Sequence, residues 1–159
     1  MAKKLLLLLL AIMISFEAHA ENNDADRFCP HLPRETKFVW KYNQGPDFSV
    51  CYAYPESESN FSASPSLLIG VYIGNHPDFK NQGKVVQQSK IGASTVKWYK
   101  KSSNGFGYEN AIEALYDLPR RDKDDRTNYA HIWILTKDEK VVKSTLDNVI
   151  KYVSFDHIN

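Results

Sequence analysis

Two histidines stand where a histidine can do chemistry. His76 lies in Gly74-Asn75-His76-Pro77-Asp78, directly after an apolar run, and His131 lies between Tyr129 and Trp133 in a segment that alternates in polarity. A histidine within reach of an acidic group is a ready general base, and beside a nucleophile it completes a hydrolytic site. Turn chemistry accounts for most of the first motif. Pro77 pre-sets the backbone angle for the second position of a tight turn, Asp78 is a common turn residue, and the proline pushes His76 toward extended geometry. Only the choice of histidine is left over. His131 reads as a packed or hydrogen-bonded strand residue unless acidic partners gather around it. A small hydrolase using His76 or His131 with acidic partners is therefore the second functional reading, and no residue is assigned a catalytic role.

The remaining inventory of reactive groups is short. No Gly-x-Ser-x-Gly elbow, Gly-rich phosphate loop, His-Glu-x-x-His or complete Ser-x-x-Lys set occurs. The two cysteines, Cys29 and Cys51, are expected to form a disulfide. Such a bridge closes a loop of about 22 residues and contributes roughly 3 kcal/mol in the chain-entropy account. Metal binding is the rival, with His31 two residues from Cys29, but Cys29-Pro30-His31 and a lone Cys51 lack the paired spacing of a zinc site. No metal and no cofactor are expected. The run Arg120-Arg121-Asp122-Lys123-Asp124-Asp125-Arg126 alternates in sign and lacks the turn glycine and closing glutamate of a calcium loop, so it reads as a solvated loop.

Compartment follows from the N-terminus. Lys3 and Lys4 precede an apolar run over residues 5–16, and Ala18-His19-Ala20 supplies the small residues a signal peptidase requires before Glu21. Residues 1–20 are read as a cleaved signal and 21–159 as a single globular domain, exported to the periplasm or the extracellular space. The apolar run falls short of the roughly 20 residues a spanning helix needs, so no membrane insertion is expected after cleavage. Lys3, Lys4 and Glu17 leave with the signal, and the 20 basic and 19 acidic residues of the whole chain fall into balance. Neutrality without a basic cluster argues against a nucleic-acid partner.

The elements that must position these groups are mostly strands. Residues 37–42 alternate Phe38, Trp40 and Tyr42 with Lys37, Val39 and Lys41, the period of a half-buried strand. Phe48, Val50, Tyr52 and Tyr54 alternate with Ser49, Cys51 and Ala53 in a second strand ended by Pro55. Residues 67–73 are apolar on both faces apart from Gly70, which marks a central strand covered on each side. Residues 84–90 and 94–101 form a hairpin about Ile91-Gly92-Ala93, with Val96 and Trp98 on one face and Thr95, Lys97 and Tyr99 on the other. Residues 108–118 satisfy a short helix and a strand equally. Residues 129–136 form a strong strand with Tyr129, His131, Trp133 and Leu135 on one face, and Ser144-Thr145-Leu146-Asp147 resembles a capped helix start. The fold class is α+β: a mainly antiparallel sheet packed against a C-terminal helix, as an α/β/α or a two-layer sandwich.

Phe48-Ser49-Val50-Cys51-Tyr52-Ala53-Tyr54-Pro55 resembles the early strand ending in Tyr-Pro of exported PsbP-like proteins, and residues 145–155 resemble their closing helix. The resemblance implies an antiparallel sheet flanked by helices and a role as an accessory or interaction module. Aromatic residues, at 13% of the chain, supply the contact surface for such a role, because an amphipathic ring offers an apolar body and a polar tip. Tyr52, Trp98, Tyr99, His131 and Trp133 are the candidate binding residues. The expected partner is a protein or an envelope component, and the expected activity is binding without catalysis.

Overall fold

Apolar residues repeating at period two yield strands that bury one face each, and seven such strands here hydrogen-bond into one sheet. A computed structural model describes residues 21–58, 65–80, 83–101, 108–119 and 129–156. The strands are β1 (Phe38–Gln44), β2 (Phe48–Pro55), β3 (Leu67–Gly74), β4 (Val85–Ile91), β5 (Ser94–Lys100), β6 (Asn110–Asp117) and β7 (Tyr129–Thr136). They pair antiparallel throughout, in the order β1-β2-β3-β7-β6-β5-β4. Helix α1 (Glu21–Phe28) precedes the sheet and helix α2 (Glu139–Tyr152) follows it.

Both helices lie on the same face. Cys51 and Ala53 of β2, Ile69 and Val71 of β3, Ile132 and Ile134 of β7, Ala114 of β6 and Trp98 of β5 form one core with Leu146 and Val149 of α2 and Ala25 of α1. The disulfide Cys29–Cys51 spans a Cα–Cα distance of 5.6 Å and ties the end of α1 to β2. Phe28 stacks on Tyr42 of β1 at 5.1 Å, and Tyr116 stacks on Phe155 beyond α2 at 5.2 Å. The α+β expectation holds in its two-layer form, and so does the bridge. Among the described residues no helix is long and apolar enough to cross a membrane.

Several local expectations change. Residues 108–118 resolve as β6, because Ile112, Ala114 and Tyr116 pair with Ile134, Ile132 and Ala130 and complete the core face. Lys37 stands outside β1 with a left-handed φ of 53°, and its carbonyl accepts a bond from the Glu56 N–H. The C-terminal helix starts at Glu139, not near Ser144. Asp138 has extended backbone and its side chain accepts from the Lys140 N–H at 2.9 Å, the geometry of an N-cap. Ser144 instead bonds back to the Val141 carbonyl inside the helix. Residues 21–28, to which the sequence reading assigns no element, form helix α1. The 4–5 hairpin turns through Gly92, whose φ of +57° suits a residue without Cβ. Residues 1–20, read from the sequence as a signal, and the charged run at 120–126 lie outside the described residues.

Candidate functional site

The face turned away from both helices is built from the alternate residues of the same strands. Register places Tyr52 opposite Gly70, Gly70 opposite Trp133, and Trp133 opposite Glu113, which in turn lies opposite Tyr99. One row of side chains therefore crosses five strands. A second row runs from Val50 through Tyr72 and His131 to Leu115. The glycine at position 70 is required by the row itself, since a Cβ there would collide with the indole of Trp133. Tyr52 meets that indole edge-on at 6.2 Å, and the His131 ring lies 5.3 Å from it. Phe48 stacks on Tyr72 at 5.5 Å further along the face.

At the middle of this face is a charged cluster. His131 Nε2 donates to Glu113 Oε2 at 2.9 Å, and Lys101 Nζ reaches the same oxygen at 2.5 Å. Glu113 and Trp133 are directly opposed, so His131, two residues from Trp133, reaches Glu113 across the diagonal of the ladder. His131 is 4% exposed and Glu113 is 7% exposed, which makes the pair buried on a face that is otherwise partly open. Burial alone pushes the Glu113 carboxyl upward. The hydrogen bonds from His131 and Lys101, and the charge of Lys101, outweigh that burial and hold the group below its ordinary value. Glu113 is thus an ionised acceptor already occupied by two donors.

The roof over the cluster comes from the segment that leaves β3. Phe79 sets its ring edge against His131 at 5.4 Å and against Tyr99 at 5.7 Å. The His76 N–H donates to the Tyr72 hydroxyl at 3.2 Å, which anchors the exposed start of that segment to the face below. Residues 76–80 run on without the hydrogen-bonded tight turn the sequence suggested. The chain bends at Asn75 and runs irregularly to Phe79, whose ring ends over the cluster.

The five candidate contact residues separate accordingly. Tyr52, Tyr99 and Trp133 are partly exposed on the open face, and His131 lies buried among them. Trp98 does not join them: it is 0% exposed in the helix-side core, its indole N–H donating to Ser89 Oγ at 2.8 Å. His76 and His131 do not converge on a common acidic partner among the described residues. Sequence reasoning missed Glu113, Lys101 and Phe79. Glu113 carried a signal, because a carboxylate flanked by Ala111, Ile112, Ala114 and Leu115 must find partners once it is read in a strand. Lys101 and Phe79 depend on tertiary placement and carried none.

His31, the rival metal ligand, pairs through its backbone with Ser154, its N–H donating to the Ser154 carbonyl at 3.1 Å. Among the described residues no three His, Cys, Asp or Glu side chains gather as a metal site would require. No protein-family model, no curated protein and no solved structure matches the chain.

Proposed function

We propose that the chain is an exported, disulfide-bridged accessory protein that binds a protein or an envelope component through the sheet face opposite its helices. The observation that carries this reading is the row of partly exposed rings, Tyr52, Trp133, Tyr99 and Phe79, set around the buried His131–Glu113–Lys101 cluster. Rings held edge to face lose little freedom on binding and present apolar area with polar tips, which is the composition of contact surfaces. The cluster fixes the ladder beneath them, since each charged group there has its partner. The resemblance to PsbP-like accessory modules agrees with the same reading, and so does the bridge, which suits an oxidising compartment.

The hydrolase reading has one observation in its favour, the His131–Glu113 hydrogen bond. Three features weigh against it. Glu113 is neutralised by Lys101, His131 is walled by Phe79 and Trp133, and both cysteines are in the bridge. A base that cannot be reached, with no nucleophile bonded to it, lacks the geometry that general-base catalysis needs.

The test is site-specific photocrosslinking in the native envelope. A photoreactive residue in place of Tyr99 should capture a discrete partner, and one in place of Asn148, exposed on α2, should not. Equal capture from both positions, or none from Tyr99, refutes the assignment of the face. Export is checked separately by mass spectrometry, with an N-terminus at Glu21 expected and an intact Met1 in the exported fraction counting against it.

A further inference from the structure

The sheet has two edges, and they differ. Edge strand β1 is flanked by α1, with Phe28 stacked on Tyr42, and Phe38, Trp40 and Tyr42 pack against the core. Edge strand β4 carries Val85 at 41% and Val86 at 48% exposure, the most open large apolar side chains among the described residues. Beside it, between β4, the ends of β5 and β6, and the first turns of α2, lies a groove of about 600 Å³ floored by Ile112, Val142 and Leu146. Val86 lines it too.

We propose that β4 is a docking edge, on which an extended acidic segment of a partner protein pairs as an added strand and sets an apolar side chain into the groove beside α2. The groove lies on the helix side of the sheet, opposite the aromatic face, and the proposal does not depend on the reading given to that face.

The backbone of β4 is suited to strand addition. Ile91 and Ser94 close the two-residue loop, so they form a bonded pair, and alternation along an antiparallel ladder then turns the N–H and C=O of Gln88 and Lys90 outward. No proline interrupts the strand. A bulge ordinarily spoils an edge for pairing. Here Val85 opposes Tyr99 and Gln87 opposes Trp98, so the extra residue is Val86, and the bulge turns an apolar side chain into the groove. Edge and groove are thus one continuous surface.

Charge selects the occupant. Among the described residues, Lys100, Lys140 and Lys143 line the groove against a single acid, Glu139, and exposed Lys84 and Lys90 flank β4 at its two ends. Among the described residues none of these five lysines is in an ion pair. A second copy of this chain pairing antiparallel through β4 would bring Lys84 and Lys90 of the two copies together, which disfavours self-association. A segment that alternates apolar and acidic residues meets both the groove and the lysines.

The experiment titrates the disulfide-bonded protein with fluorescein-labelled synthetic peptides that alternate glutamate with valine and leucine, and with counterparts carrying lysine for glutamate. Saturable binding of the acidic peptide alone, weakening as salt rises, is expected. Val86→Glu fills the groove with a repelling charge, and Gln88→Pro removes an outward N–H that no strand of the protein uses; each should weaken binding on the order of tenfold or more. Phe48→Ala, on the aromatic face at the other end of the sheet, should leave it unchanged. In the unaltered protein the acidic peptide should slow hydrogen exchange at the amides of Gln88 and Lys90, a readout that does not rely on any variant folding. Equal binding of the basic peptide, no slowing at those two amides, or a solution dimer that Val86→Glu dissociates would each overturn the proposal.

Discussion

The two faces of the sheet are made by neighbouring residues of the same strands, yet they follow different rules. The helix-side face carries one continuous apolar core across β2, β3, β7, β6 and β5, and the members of that core are buried. The opposite face mixes rings with a charged cluster, and Tyr52, Tyr72, Tyr99 and Trp133 stay partly exposed there. Trp98 and Trp133 make the contrast concrete. One is sealed in the core with its N–H bonded to Ser89, and the other lies over Gly70 with Tyr52 at its edge. A tryptophan on a strand therefore marks neither core nor contact by itself. The face decides.

The largest effect should separate these two residues. Trp98→Ala is expected to cost about 3–5 kcal/mol, the range for emptying a close-packed aromatic site. Trp133→Ala, which empties a site already open to water, should cost roughly 1–2 kcal/mol. Urea titration of both variants measures the difference, and equal losses would mean that the open face is a second core. The next effect belongs to the helix side as well. Replacing Cys29 and Cys51 together by alanine should lower stability by roughly 3 kcal/mol, and the loss should be absent when wild type and variant are compared under full reduction. A negligible change would show that α1 is held by packing alone.

Much of the helix-side face was legible in the sequence, and much of the open face was not. Val96 and Trp98 announce a shared face by alternation alone, as do Cys51 and Ala53, but period two does not say which face turns inward, and Trp98 stands among the contact candidates until the helices are placed over it. The bridge followed from cysteine count and compartment. The charged cluster needed three strands to be paired before it could be seen: Lys101 is just beyond β5, Glu113 is within β6 and His131 within β7. Residues 108–118 satisfied two periodicities at once, and while that segment had no assigned face, Glu113 had none either. The start of α2 was misplaced for a related reason. Asp138 and Ser144 are both competent caps in isolation, and the helix begins at the earlier one because β7 ends just before it.

A smaller effect tests whether the cluster keeps the open face in register. Glu113 has a lower carboxyl pKa in the folded protein than in the unfolded chain, so its contribution is complete above the ordinary carboxylate value. That contribution is lost as pH falls through the lower, folded value, when the protonated carboxyl no longer attracts Lys101 and His131. The melting temperature of the wild type should accordingly drop on acidification more steeply than that of Glu113→Gln. The difference between the two proteins should be greatest at neutral pH and close at the acid end. Parallel curves would assign the acid sensitivity to other groups and leave the cluster without a role in holding the face.

The smallest expected effect on stability carries the most information about function. Tyr99 is partly exposed, and its ring meets Phe79 edge-on. Tyr99→Ala should therefore cost under about 1 kcal/mol, as substitutions away from the core usually do. If the open face is the contact surface, the same change should abolish partner capture in the photocrosslinking and co-purification experiments, with the melting temperature nearly unmoved. Phe79→Ala sharpens the comparison, because it unroofs His131 without altering any strand. A binding face tolerates that opening poorly, since the ring is part of the surface presented to the partner. A concealed hydrolytic site would respond in the opposite sense, with turnover on envelope substrates appearing or rising once water and substrate reach the His131–Glu113 pair. Capture lost in both variants, with no turnover in either, is the outcome expected of the two-face reading; turnover in Phe79→Ala that vanishes on adding His131→Ala would break it.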